Sequence, residues 1–153
     1  MISLGPFKIE HFDEIQPNLR PIDAIAIQGL DMKEYRKVLQ GQMESAPIGS
    51  FLTDDGQVAA ICGAIKRWDG VADFWMLTTN LVTKYPLSFH KECILGLNFL
   101  TETFNIHRLQ ASIADKHIVS QRWAHRLGSK QECLMEAYGP DGANHYLYAR
   151  VNL

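Results

Sequence analysis

The stretch Gln57–Trp68 limits what this chain can become more than any other segment. Val58, Ala60, Cys62 and Ala64 lie on one side of an extended chain, and Ala59, Ile61 and Ile65 on the other. Both faces are apolar, so a layer must cover each of them, and such a strand belongs in the middle of a sheet. Asp54-Asp55-Gly56, just before it, is a hairpin turn signature in which Gly56 can take positive φ. The turn joins the central strand to a preceding one over Ile48–Thr53. Asp69-Gly70 makes a second tight turn into Val71–Thr79. Three consecutive hairpin-linked strands form a meander.

The flanking segments supply the covering layers. Phe89, Cys93, Leu97, Leu100 and Phe104 recur at helical spacing and draw one apolar stripe, which predicts a helix over Leu87–Phe104. Pro86 suits its first turn. Leu109, Ala111 and Ile113 alternate in a strand over Arg108–Ala114. A helix over Ile118–Leu127 is expected to end at Gly128, a C-cap residue. Two closing strands, Gln131–Tyr138 and His145–Val151, are joined by a Gly-Pro-Asp-Gly loop. The first third is broken by Pro6, Pro17, Pro21 and Pro47. It reads as a short strand Phe7–Ile9 and two helices, Ala24–Leu30 and Met32–Glu44, the second capped by Asp31. A strand–helix–strand step inside a hairpin-connected sheet implies an α/β (α+β) fold. Its sheet is mixed, mostly antiparallel, of about six to seven strands, with helices on both faces.

At 153 residues the chain is expected to form a single domain, 1–153, with a core that needs no staples. The formal charge of −2 and the dispersed Lys and Arg give no basic patch for nucleic acid or a membrane surface. No apolar run approaches the ~20 residues of a membrane span. The first residues lack the basic start and apolar core of a leader, so cytoplasmic folding is expected. Cys62, Cys93 and Cys133 each have apolar neighbours and read as reduced core thiols. Trp68 and Trp75, which flank a hairpin, are also expected in the core. The six histidines have no zinc-site spacing. His117 and His125, which could share a helix face, are the nearest approach to one. No metal is expected.

Residues 105–151 carry a family resemblance. His107-Arg108-Leu109-Gln110-Ala111, Ser120 eight residues before Gly128, the turn Tyr138-Gly139-Pro140-Asp141-Gly142 and the strand Tyr146-Leu147-Tyr148-Ala149-Arg150 resemble the C-terminal block of GNAT N-acetyltransferases. The element order is also similar to theirs. Ser129 stands where those enzymes usually carry a Phe.

The resemblance implies three requirements for activity. A glycine-rich loop after the fourth strand should offer free N–H groups to the pyrophosphate of acetyl-CoA. Here Thr78–Ser88 contains no glycine, and Pro86 has no N–H to give. A base on the fourth strand is implied, and Asp73 is the carboxylate on that strand. The acid for the departing thiolate is commonly a Tyr at the position held here by Ala124, with Trp123 and His125 on either side. Were acyl-CoA to bind, the resemblance assigns it Leu77, Thr79, Lys84, Ser88 and Ser120.

Phe74-Trp75-Met76-Leu77-Thr78-Thr79 followed by Tyr85-Pro86-Leu87-Ser88-Phe89 resembles a GNAT-like branch encoded by tailed bacteriophages. That likeness implies a degenerate acyl-CoA site, no bound cofactor, and binding to other virion or assembly proteins. The host cytoplasm, or the virion itself, is then the expected location. The alternative is an active acetyl-CoA-dependent N-acetyltransferase with a non-standard loop, Lys84 at the phosphates and Asp73 or a water as base.

Overall fold

The computed structural model describes residues 1–152. Its elements run β1 (Ile2–Pro6), α1 (Ile9–Ile15), α2 (Pro21–Ile25), α3 (Met32–Ser45), β2 (Ile48–Thr53), β3 (Val58–Trp68), β4 (Val71–Thr78), α4 (Leu81–Lys84), α5 (Pro86–Thr103), β5 (Arg108–Ala114), α6 (Ile118–Arg126), β6 (Lys130–Met135) and β7 (His145–Val151). The seven strands form one sheet in the order β1-β2-β3-β4-β5-β7-β6. All pairings are antiparallel except β4 with β5. The expected α/β class, mixed sheet and helical crossover are all present.

β3 is central. Ala59, Ala60 and Ile61 are fully buried, and burying a side chain such as Ile61 contributes about 1.5–3 kcal/mol. On one face Ile61 and Leu77 pack with Phe12, Ile15 and Leu39 from α1 and α3. On the other, Ala60 meets Phe51, Phe89 and Cys93, while Ala64 and Ala72 meet Leu97 and Leu100 of α5. Gly56 takes φ +83° in the turn that leads into β3, as its tight hairpin requires. Asp31 caps α3, accepting from the backbone N–H of Lys33 (2.8 Å) and Glu34 (3.2 Å).

Several expectations need correcting. The first strand is Ile2–Pro6, not Phe7–Ile9. Pro6 fits there because β1 is an edge strand with one partner, so a missing N–H costs no ladder bond. The segment expected as a helix over Ala24–Leu30 gives only the short α2, and α1 and α4 are additional. β6 ends at Met135, three residues early. Trp68 is 66 % exposed, because the last four residues of β3, Ile65–Trp68, extend into solvent beyond the covering layers. Cys133 is exposed on the edge strand β6, whereas Cys93 is buried and Cys62 half-buried.

The parallel β4–β5 ladder has three rungs: Val71 with Arg108, Ala72 with Leu109, and Asp73 with Gln110. Beyond them β4 stays with β3 and β5 stays with β7, so the two strands diverge. That divergence opens the middle of the sheet. No helix among the described residues is long and apolar enough to cross a membrane.

Candidate functional site

The diverging strands enclose a cleft of about 590 Å³. Its walls are Phe74–Leu77 of β4 and Ala111–Ala114 of β5, with α2, the start of α6 and the β6–β7 loop around its mouth. Side chains along it carry three buried polar atoms without a hydrogen-bond partner among the described residues: Trp75 Nε1, Asp115 Oδ1 and His145 Nδ1. Buried polar groups are ordinarily paired, so these three unpaired atoms set the walls of this cleft apart from the rest of the interior. Asp115 and Asp141 line it, against Lys116, while Asp23 at its mouth is paired with Arg20, so the remaining charge favours a cation by a small margin.

Burial lowers the proton affinity of His145, and nearby Asp141 and Asp115 offset part of this. His117 at the mouth is lowered by burial and then by Arg20, with Asp23 opposing. His11 on α1, against Ser50 (2.8 Å), is lowered by burial and then by Lys8, with Glu14 and Glu10 opposing. An unfolded chain, whose histidines titrate near 6.5, therefore binds more protons than the folded one as pH falls. Stability from these groups is complete above pH 6.5 and declines below it. The melting temperature is expected to drop between pH 7.5 and 5.5, and a His117→Gln/His145→Gln variant to show a shallower drop. A parent curve that stays level or rises over that interval contradicts the assignment.

At the corner between β4 and α5, where a diphosphate would sit, three successive backbone donors are already engaged. The Leu81 N–H donates to Thr79 Oγ1 (3.2 Å), Val82 N–H to the Thr79 carbonyl (3.4 Å) and Thr83 N–H to the Asn80 carbonyl (3.1 Å). Pro86, the first residue of α5, has no N–H. The diverging edge of β4 is covered at its end too. The Arg20 N–H donates to the Thr78 carbonyl (3.1 Å), and Leu19 forms an isolated bridge with Thr79. Asp23 fastens this segment, accepting from Arg20 Nε (2.7 Å) and Thr78 Oγ1 (2.9 Å).

Behind the cleft, aromatic rings join α5 to α6. Trp123 stacks on Phe89, with centroids 5.3 Å apart and planes at 17°. Its Nε1–H donates to His90 Nδ1 (3.2 Å). Trp123 lines the cleft as well, so its indole stands between the open side of the sheet and the gap between the two helices.

The sequence-selected residues are dispersed around this arrangement. Asp73 lies on the last parallel rung, paired with Arg67 and accepting from Gln110 Nε2 (2.8 Å); it does not line the cleft. Leu77 belongs to the core and also forms part of the cleft wall. Thr79 is buried, its hydroxyl donating to the Ala59 carbonyl (3.1 Å). Ser88 Oγ accepts from the Ile2 N–H (3.0 Å). Lys84 is exposed at the corner, and Ser120 lines the cleft. Ala124 is buried, and His125 is exposed and packs edge-on against Tyr148 at 5.3 Å. Trp123, His145 and Asp115 were missed as site residues. Asp115 and His145 are neighbours through the β5–β7 ladder and Trp123 reaches the cleft from α6, long-range pairings for which sequence spacing carries no signal.

No family model and no curated protein matches the chain. Solved structures match over nearly its whole length. An acetyltransferase (GNAT family) from Bacillus anthracis aligns at 11% identity and TM-score 0.75, covering 98% of this chain and 94% of that one. An acetyltransferase of GNAT family from Streptococcus pneumoniae aligns at 12% and 0.75, covering 99% of each. A single-site mutant of Vibrio cholerae spermidine N-acetyltransferase aligns at 8% and 0.78, covering 98% and 93%. At these identities the likeness shows the fold, which is that of the GNAT acetyltransferases.

Proposed function

We propose that this chain uses the GNAT fold to bind another protein, without transferring an acyl group. The observation that carries the reading is the corner after β4, where three loop N–H groups are spent inside the loop and a fourth residue is proline. A diphosphate bound there would forgo charge-assisted hydrogen bonds of about 1.5–3 kcal/mol each. Losing two of them weakens a micromolar site by roughly 10²–10⁴-fold. The Trp123–Phe89 stack and the Arg20–Thr78 bond support the same reading, since each fills space or edge that a long thioester cofactor would use. The resemblance of the Phe74–Thr79 and Tyr85–Phe89 runs to phage-encoded GNAT-like proteins is the ground for reading that role as virion assembly. The partner is then a head or internal virion protein, met in the host cytoplasm.

A second reading, acetyl-CoA-dependent N-acetyl transfer, is favoured by the open acidic cleft and by the matched acetyltransferases. In that reading an ammonium seated by the cleft carboxylates gives its proton to His145, whose lowered proton affinity keeps it a neutral acceptor at pH 7. Asp73, engaged with Arg67 and Gln110, is then replaced as base, and Lys84 is the available cation at the phosphates.

Calorimetric titration with acetyl-CoA separates the two. The first reading expects no saturation below about the millimolar range, following the loss estimated above. Micromolar binding, or release of free thiol from acetyl-CoA in the presence of spermidine or a lysyl peptide, would overturn it in favour of the second.

A further inference from the structure

A second cavity lies beneath α5, adjoining the cleft at Phe74, Met76 and Trp123, and the proposed function assigns it no ligand. Its volume is about 390 Å³, and its lining is almost wholly carbon. The walls come from Leu4 and Pro6 of β1, Ile48 and Phe51 of β2, Cys62 of β3, Phe74 and Met76 of β4, and the inward side of α5. Protein interiors are ordinarily close-packed, with few voids larger than a water. Here Cys62, Phe74 and Met76, all on central strands under a helix, remain only half-buried. The cavity leaves them that surface.

Two glycines hold the space open. A Cβ at Gly96 would lie 2.6 Å from Leu4 Cδ2, and one at Gly49 would lie 3.0 Å from Leu4 Cδ1. Leu4 therefore packs between the two glycines at the cavity wall, in space that a side chain at either position would take. Exposed Phe99 and Pro6 stand at the rim, and half-buried Trp123 and Leu127 contribute from α6.

We infer that this cavity binds a single aliphatic chain whose polar head stays in solvent. The shape argues for a chain. The lining crosses four adjacent strands, a span of roughly 14 Å at the usual interstrand spacing, which leaves a slot only about 5 Å across. The chemistry agrees, since among the described residues no charged side chain lines the slot to hold a polar group. Size agrees as well. An apolar cavity of ~150 Å³ accepts the six carbons of benzene, so this one has room for a chain of ten or more.

The test uses the intact protein and 1-hexanol, 1-octanol and 1-decanol as probes. Calorimetry is expected to show saturable one-to-one binding that tightens about fourfold per added methylene. Burial raises the Cys62 thiol to about 12 and raises Cys93 as well, so both react slowly. Decanol is expected to slow maleimide labelling of these two further and to leave exposed Cys133 unchanged. A Cys62→Leu variant, which fills the slot, should bind decanol at least tenfold more weakly. The labelling experiment does not depend on that variant folding. Non-saturating uptake, an affinity indifferent to chain length, or equal protection of all three cysteines would each overturn the inference.

Discussion

Replacing Phe89 with alanine is expected to lower stability by about 3–5 kcal/mol, which at this chain length shifts the melting temperature by on the order of 10 °C. Phe89 is 7 % exposed and is the middle ring of three. Phe51 meets it edge-on at 5.1 Å, and Trp123 lies flat against it at 5.3 Å. Truncation removes the transfer energy of the ring and leaves a hole that neither neighbour can close. Phe51 is fixed in β2 by its pairing with Ala60, and Trp123 by its bond to His90. Leu95→Ala, on the solvent side of the same helix and 52 % exposed, should change stability by no more than about 0.5 kcal/mol. Urea unfolding of both variants measures the contrast, and equal midpoints would show that the rings do not anchor α5. The same variant probes the cofactor question. Removing Phe89 widens the gap between α5 and α6 but leaves the Leu81, Val82 and Thr83 amides committed. Acetyl-CoA is therefore expected to remain unbound, and binding gained by Phe89→Ala would move the obstruction from the loop to the aromatic stack.

That contrast also marks what the sequence could and could not carry. The closed corner was legible because it is a matter of residue type. Without a glycine between Gly70 and Gly96, and with a proline at position 86, the loop has little means of turning its amides outward. The stripe Phe89, Cys93, Leu97 and Leu100 was legible because α5 repeats its period over five turns. The same logic failed for α1, whose seven residues repeat the period barely twice. Trp68 was misjudged because β3 runs on beyond its covering layers, and a local pattern does not record where the layers end. The cleft was the least visible feature. Asp115 and His145, 30 residues apart, are neighbours through the β5–β7 ladder, and Trp75 shares a cleft with them because β4 and β5 part after three rungs. The Arg20–Thr78 bond, across 58 positions, has the same origin.

Gly63 offers the sharpest test of how the cleft floor is built, and Gly63→Val is expected to cost roughly 2–3 kcal/mol, near the top of the usual overpacking range. Gly63 sits directly opposite Trp75 in the β3–β4 ladder. A Cβ at position 63 would fall 2.8 Å from three atoms of the indole, Cε2, Cζ2 and Nε1. Trp75 thus lies flat across the glycine, which suits a residue with no side chain of its own to pack. It is also held against the α1–α3 core cluster, so it cannot swing aside freely, and a valine must lift it into the cleft. Trp75→Ala alone loses packing, whereas the Gly63→Val/Trp75→Ala double variant gives the valine room. The double variant should therefore be more stable than the sum of the single effects predicts, by 1 kcal/mol or more, the range found for residues in contact. Strict additivity would mean that the indole rests on something other than the glycine. In that case the cleft floor would owe its shape to the α1–α3 side, and the position of the unpartnered Trp75 Nε1 would no longer follow from the pairing of β3 with β4.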